Sequence, residues 1–168
     1  MNNPRSNLIP HLLLAPQAVG TSTVTGVEII RPWESGRNLI CMVIGGTLAA
    51  ADAIAVTVMA RRKGTTTWDN VKEDNGTTSL AFTVAKLSDG GAVENGIVFG
   101  NINLARLKSG TNLDAAYEYD ALRFDAVNAN NSSPGIIGLA GAITDLYEMD
   151  EESSAEDDLY FKQTPHSL

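Results

Sequence analysis

The chain has a single cysteine, Cys41, so no disulfide can form within it and a cross-linked scaffold is excluded. Cys41 lies inside the apolar run Leu39-Ile40-Cys41-Met42-Val43-Ile44, which predicts a buried small hydrophobe rather than a reactive thiol. Histidine is almost as scarce: His11 and His166 stand near opposite termini. Transition-metal sites need His, Cys and carboxylates gathered together, so none is expected within one chain. Nucleophilic catalysis of the Ser/His kind lacks an interior histidine. Aromatic residues make up only 6% of the chain. No apolar stretch approaches the ~20 residues that span a bilayer. The N-terminus lacks a basic region followed by a long apolar core and a small-residue cleavage site. Synthesis in a cytoplasm without secretion is therefore expected. No strand–glycine-rich loop–helix element offers a phosphate cradle, and Gly90-Gly91 sits in acidic surroundings that would repel phosphate. No fixed-period repeat marks a propeller or solenoid.

Positive charge in excess is missing too. The net charge is −8, yet it is unevenly placed. Eight carboxylates fall between Asp145 and Asp158 with no basic residue among them, leaving 12 acidic and 11 basic residues before Asp145. The body is close to neutral and the acidity belongs to the tail. Arg61-Arg62-Lys63 is a short basic run beside a turn, not the basic footprint of a nucleic-acid binder. Neither nucleic acid nor a membrane is an expected partner.

What is present is alternation. Leu122, Phe124 and Ala126 share one face of a predicted strand, with Tyr117, Tyr119 and Val127 on the other. A polar loop through Ser133-Pro134-Gly135 leads to the small apolar run up to Tyr147, where Gly138 and Gly141 leave room for another backbone to approach. The two strands form a hairpin or a pair that crosses between sheets. Val27 and Ile29 begin the sheet, and Pro32 with Ser35-Gly36 marks a turn. Leu39–Ile44 is a continuous apolar strand expected at the centre of its sheet. Ile54, Val56 and Val58 alternate with Ala55, Thr57 and Met59, so Leu48–Ala53 before them is read as a loop rather than a helix. Lys63-Gly64-Thr65 and Asp74-Asn75-Gly76 are turns, with Trp68 and Val71 returning on a partner strand. Leu80, Phe82 and Val84 alternate with Ser79, Ala81 and Thr83. Ser88–Gly96 reads as a glycine-rich acidic loop, Ile97–Leu104 as a strand, and Ala105–Gly110 as one helical turn or a loop. About eight strands and no long helix predict an all-β, jelly-roll-like sandwich.

The expected organisation is an N-terminal arm over residues 1–23, a sandwich domain over 24–147 and an acidic C-terminal tail over 148–168. Pro4, Pro10 and Pro16 break any long helix in the arm. Leu8, Ile9, Leu12, Leu13 and Leu14 lie between them and need an apolar surface. That surface is either an open edge of their own sandwich or a neighbouring subunit, which makes these five the candidate partner-binding residues.

Chemistry is sparse. Asp120 with Asp125, or Glu118, could pair as in glycoside hydrolysis, but carboxylates at alternating strand positions usually form a solvated face. No enzyme and no cofactor is expected. A carbohydrate-binding module would stack aromatics on sugar rings, and Trp33, Trp68 and Tyr119 are its candidates.

Several segments, in this order, carry a resemblance. They are Ala15-Pro16-Gln17-Ala18, Gly45-Gly46-Thr47-Leu48, Thr66-Thr67-Trp68, Gly100-Asn101-Ile102-Asn103-Leu104, Ala121-Leu122-Arg123-Phe124 and Ile143-Thr144-Asp145-Leu146-Tyr147. Together they resemble the decoration, or cement, proteins of tailed-bacteriophage heads, over most of residues 15–147. The resemblance implies a β-sandwich that trimerises at local threefold axes and clamps neighbouring copies of the major capsid protein on the outer surface of the virion, without catalysis. A head–tail joining or tail component and a carbohydrate-binding sandwich on the particle are the alternatives.

Overall fold

The computed structural model describes residues 9–46, 48, 53–85, 87–89, 92–94, 97–109, 112–129, 134–144 and 160–162. In chain order the strands are β1 (Ile9–Val19), β2 (Val24–Thr25), β3 (Ile29–Ile30), β4 (Asn38–Gly45), β5 (Ala53–Arg62), β6 (Trp68–Asn70) and β7 (Ala81–Ala85). They continue with β8 (Leu87–Asp89), β9 (Ala92–Glu94), β10 (Ile97–Asn103), β11 (Tyr119–Asn128), β12 (Gly135–Thr144) and β13 (Tyr160–Lys162). Two short helices, α1 (Pro32–Ser35) and α2 (Leu104–Ser109), complete the set.

The strands build two antiparallel sheets. The first runs β1-β12-β4-β10-β13. The second runs β2-β11-β5-β6, with β3 also beside β11 and β7 beside β5. β8 and β9 pair as a separate ribbon where the sequence predicted a loop. The all-β sandwich expectation holds, and its basis is the predicted period of two. Leu39, Cys41 and Val43 of β4 are buried, as are Ile54, Val56 and Val58 of β5, and Leu122, Phe124 and Ala126 of β11. Beside β4 in the first sheet, Ile137, Leu139 and Ile143 of β12 close the same core. Each such large side chain contributes roughly 1.5–3 kcal/mol on burial. The turns fall where expected, with Gly64 at φ 71° and Gly76 at φ 68°, conformations that glycine adopts without a Cβ penalty. β11 and β12 lie in different sheets, so the closing pair crosses the sandwich rather than forming a hairpin.

Two expectations are corrected. The N-terminal segment is not an arm from Ile9 onward. It is the edge strand β1, paired antiparallel with β12 from Ile9 opposite Ile143 to Val19 opposite Gly135. Prolines are tolerated there because an edge strand need not donate on its outer side. The pairing shifts register between Leu12 and Leu14, and the extra residue turns both Leu13 and Leu14 into the core. Second, the sandwich boundary at residue 147 is passed by the tail, since Tyr160–Lys162 adds to β10 with Phe99 opposite Lys162 and Asn101 opposite Tyr160. Of the helical turn or loop expected over Ala105–Gly110, the helix is what forms, as α2 over Leu104–Ser109. The loop expected over Leu48–Ala53 lies outside the described residues except for Leu48, which is buried and unstructured, and Ala53, which starts β5.

One glycine ties the two sheets. Between β2 and β3 the chain passes the edge of β1, where the Val27 amide donates to the Leu13 carbonyl at 2.8 Å. A Cβ on Gly26 would sit 2.4 Å from the Leu13 oxygen and 2.5 Å from the Phe124 oxygen. Only a residue without a side chain fits between these backbones. The two buried asparagines are paired: the Asn112 amide nitrogen donates to the Lys72 carbonyl at 2.9 Å, and the Ala53 amide donates to the Asn128 side-chain oxygen at 3.3 Å.

Candidate functional site: two sheet faces and a cleft

β4 alternates apolar residues on both faces. With Leu39, Cys41 and Val43 in the core, Ile40, Met42 and Ile44 point outward. The register places Met42 between Ala140 of β12 and Phe99 of β10, and Leu12 of β1 lies opposite Ala140. The outer face of the first sheet is therefore apolar over much of β1, β4 and β12, with Asn38, Asn101 and Asn103 toward one end and β13, which carries Lys162, beside β10. Leu12, Ile40, Ile44, Phe99 and Ile136 are each 40–54% exposed. None of the residues of β1, β4, β10 and β12 is Lys, Arg, Asp or Glu. A groove of about 230 Å³ lies on this face, lined by Leu12, Pro16, Ile44, Gly46, Ile136 and Gly138 among others. Gly138 allows Pro16 to close one side, since a Cβ there would be 3.0 Å from the proline ring.

The outer face of the second sheet has the opposite character. The Arg61 Nε donates to Asp120 at 2.8 Å and its Nη1 to Glu28 at 2.7 Å. Arg123 Nη2 donates to Asp125 at 2.9 Å. Both guanidiniums flank Trp68, Arg123 at 4.1 Å and Arg61 at 5.7 Å from the ring centroid. Arg62 holds Asp69 bidentately at 2.7 and 3.0 Å while lying 3.6 Å from the Tyr117 ring centroid. The Tyr119 hydroxyl donates to the same Asp69 at 2.8 Å. These contacts set the titration of the groups. Hydrogen bonding by Arg62 holds Asp69 below the usual carboxylate range, and Arg61 does the same to Asp120. Lys63 lowers Glu118 likewise. Burial first, and then the bond to Asp69, push Tyr119 up to about 12.

A cleft of about 530 Å³ opens beside this network, lined by Trp33, Tyr117, Tyr119, Leu113, Arg31, Glu118 and neighbouring residues. Arg31 on its wall has φ 44° and ψ 52°, uncommon for a residue with a side chain. Its amide donates to the Asp120 carbonyl at 2.9 Å, which holds that conformation in place.

Of the five aliphatics predicted to bind a partner, the fold separates the set. Ile9 and Leu12 are exposed, whereas Leu13 and Leu14 belong to the protein's own core and cannot face a partner. Leu8 lies outside the described residues. The three candidate aromatics are also split. Trp33 and Tyr119 line the cleft, with Trp33 largely buried, while Trp68 lies beneath the two arginines. Tyr117, not singled out as a ligand contact from the sequence, is the exposed aromatic of the cleft. Asp120 and Asp125 are each taken up by an arginine. Cys41 is buried, its thiol donates to the Gly100 carbonyl at 3.6 Å, and burial pushes it up to about 12. Among the described residues no group of three or more His, Cys, Asp or Glu could hold a metal ion. No helix among them is long and apolar enough to cross a membrane.

Compared with known proteins, the chain matches no family model, no curated protein and no solved structure.

Proposed function

We propose that this chain is a structural virion protein that decorates and stabilises a bacteriophage head, binding between major capsid protein subunits on the outer surface as a homotrimer at threefold axes. The observation that carries the reading is the cluster of exposed apolar side chains on the outer face of the first sheet, Leu12, Ile40, Ile44, Phe99 and Ile136, which suits a protein that acts by being covered by other protein. The order of the segments that resemble cement proteins supports it. On the second sheet Asp69, Asp120 and Asp125 are each engaged by an arginine.

The test adds purified protein to expanded heads that lack it and images the result. Copies clustered at local threefold axes support the reading. Failure to add to any head, or rings of six or twelve copies at a vertex, would exclude it, the latter in favour of a joining or tail component. Because Leu13 and Leu14 are core residues, the contact role of the N-terminus is tested by removing residues 2–8 together with Ile9→Ser, which spares the core of β1.

The cleft favours a second reading, carbohydrate binding, because it brings Tyr117 together with Tyr119 and several charged side chains. A glycan screen tests it: binding to one glycan class that Tyr117→Ala abolishes would support a receptor-like role instead.

A further inference from the structure

We infer that β13 is a guard strand: the chain folds its own C-terminal segment onto the outer edge of β10 and so closes a strand-docking edge on which other copies would pair. The first sheet ends at β1 on one side and at β13 on the other. The β1 edge is broken by Pro10 and Pro16, which cannot donate to an incoming strand. In the second sheet β2, β3, β6 and β7 run only two to five residues. β10 differs. It runs seven residues, Ile97–Asn103, with neither proline nor charge. One side of it is paired with β4 along its whole length, from Ile97 opposite Ile44 to Asn103 opposite Asn38. Without β13 the other side would present a row of unpaired N–H and C=O groups, the template on which strands of separate molecules join.

β13 covers the middle of that edge, with Phe99 opposite Lys162, Gly100 opposite Phe161 and Asn101 opposite Tyr160. A seven-residue uncharged edge is thereby replaced by a three-residue one that carries Lys162 and follows Asp157 and Asp158 in sequence. Short length and charge are features that stop edges from joining. The topology lets one chain do this alone. Thr144 at the end of β12 is opposite Asn38, which is opposite Asn103, and Tyr160 is opposite Asn101. β12 therefore ends and β13 begins toward the same end of the sheet. Three strand spacings of about 4.8 Å, about 14 Å in all, separate them. The fifteen residues 145–159 span up to about 50 Å when extended, so the connection closes without strain. A tethered strand docks intramolecularly, at an effective concentration that a second copy in dilute solution does not reach. The C-terminal segment thus acts in the free protein, whether or not the chain adds to a head.

The experiment first introduces Asn101→Cys together with Tyr160→Cys in the full chain, two positions that the register sets opposite each other. Opposite residues of antiparallel strands lie within the Cα separation that a disulfide spans. The natural Cys41 is buried and takes no part. After oxidation at micromolar concentration, a denaturing gel without reductant is expected to show the bond within one chain. A bond between chains, or none in the folded protein, overturns the proposal. The second arm unpairs the strand with Tyr160→Pro and Phe161→Pro and follows mass by sedimentation and light scattering. This variant is expected to grow with concentration to at least twice the parental mass, and Phe99→Lys added to it to restore the parental mass. A folded proline variant that keeps the parental mass refutes the guarding role. Should the proline variant fail to fold, the cysteine pair decides: under agitation the oxidised form is expected to aggregate at least ten-fold more slowly than the reduced form. Equal rates would refute the assignment.

Discussion

Gly26→Ala is the sharpest single test of how the two sheets are joined. The new Cβ would lie 2.4 Å from the Leu13 carbonyl oxygen and 2.5 Å from the Phe124 carbonyl oxygen. Both obstacles are backbone, of β1 and β11, so no side-chain rotation relieves them. Overpacking of a tight site costs typically 1–3 kcal/mol. Pushing the segment outward also lengthens the Val27 N–H bond to Leu13, worth about 0.5–1.5 kcal/mol. A loss of about 3 kcal/mol is expected. For a chain of this size each kcal/mol moves Tm by about 2–4 °C, so a fall of roughly 6–12 °C follows. The matched control is Gly20→Ala, where a Cβ meets nothing within 4 Å. There the restricted unfolded chain should leave stability unchanged or raise it by up to about 1 kcal/mol. Thermal and urea unfolding followed by circular dichroism, at one fixed protein concentration, reads both variants. A Gly26→Ala protein melting within 2 °C of the parent would refute the geometry of the crossing.

Asp69→Asn removes the carboxylate shared by Arg62 and Tyr119, so the Tyr119 phenol should titrate below its raised value of about 12, read by ultraviolet absorbance. The carboxylates of Asp69, Asp120 and Glu118 have folded pKa values below their unfolded ones, near 4. The stability they contribute is present above that unfolded value and is lost as pH falls through the folded values. The urea midpoint should therefore hold between pH 7 and 5 and drop below pH 4, and a midpoint that rose on acidification would contradict the pairing. Cys41, buried with its thiol pushed up to about 12, should resist an aromatic disulfide reagent at pH 8 in the native protein and react fully in denaturant.

How much was legible from residues alone follows from what each inference depends on. The strands β5, β7 and β11 could be read in advance because alternation is local: a period of two places Ile54, Val56 and Val58, or Leu122 and Phe124, on one face whatever lies opposite. The turns at Gly64 and Gly76 are equally local, since positive φ is a property of one residue. The prolines of β1 gave a misleading signal. They exclude a helix, but whether an extended segment is an arm or an edge strand depends on a partner over a hundred residues away, here β12.

The amino-acid sequence by itself determined an all-β chain, the apolar content of Leu39–Ile44, the inertness of a lone cysteine and the placing of acidity in the tail. Tertiary structure alone decided that Leu13 and Leu14 turn inward at a bulge while Leu12 stays out, and that Tyr117 and Trp33 share a cleft. It also decided which face of β4 is covered by the other described residues, with Leu39, Cys41 and Val43 in the core. The physical reason is that burial is set by what packs across a sheet. A run of apolar residues states that both faces avoid water, and only the assembled sheets show which of the two meets the core.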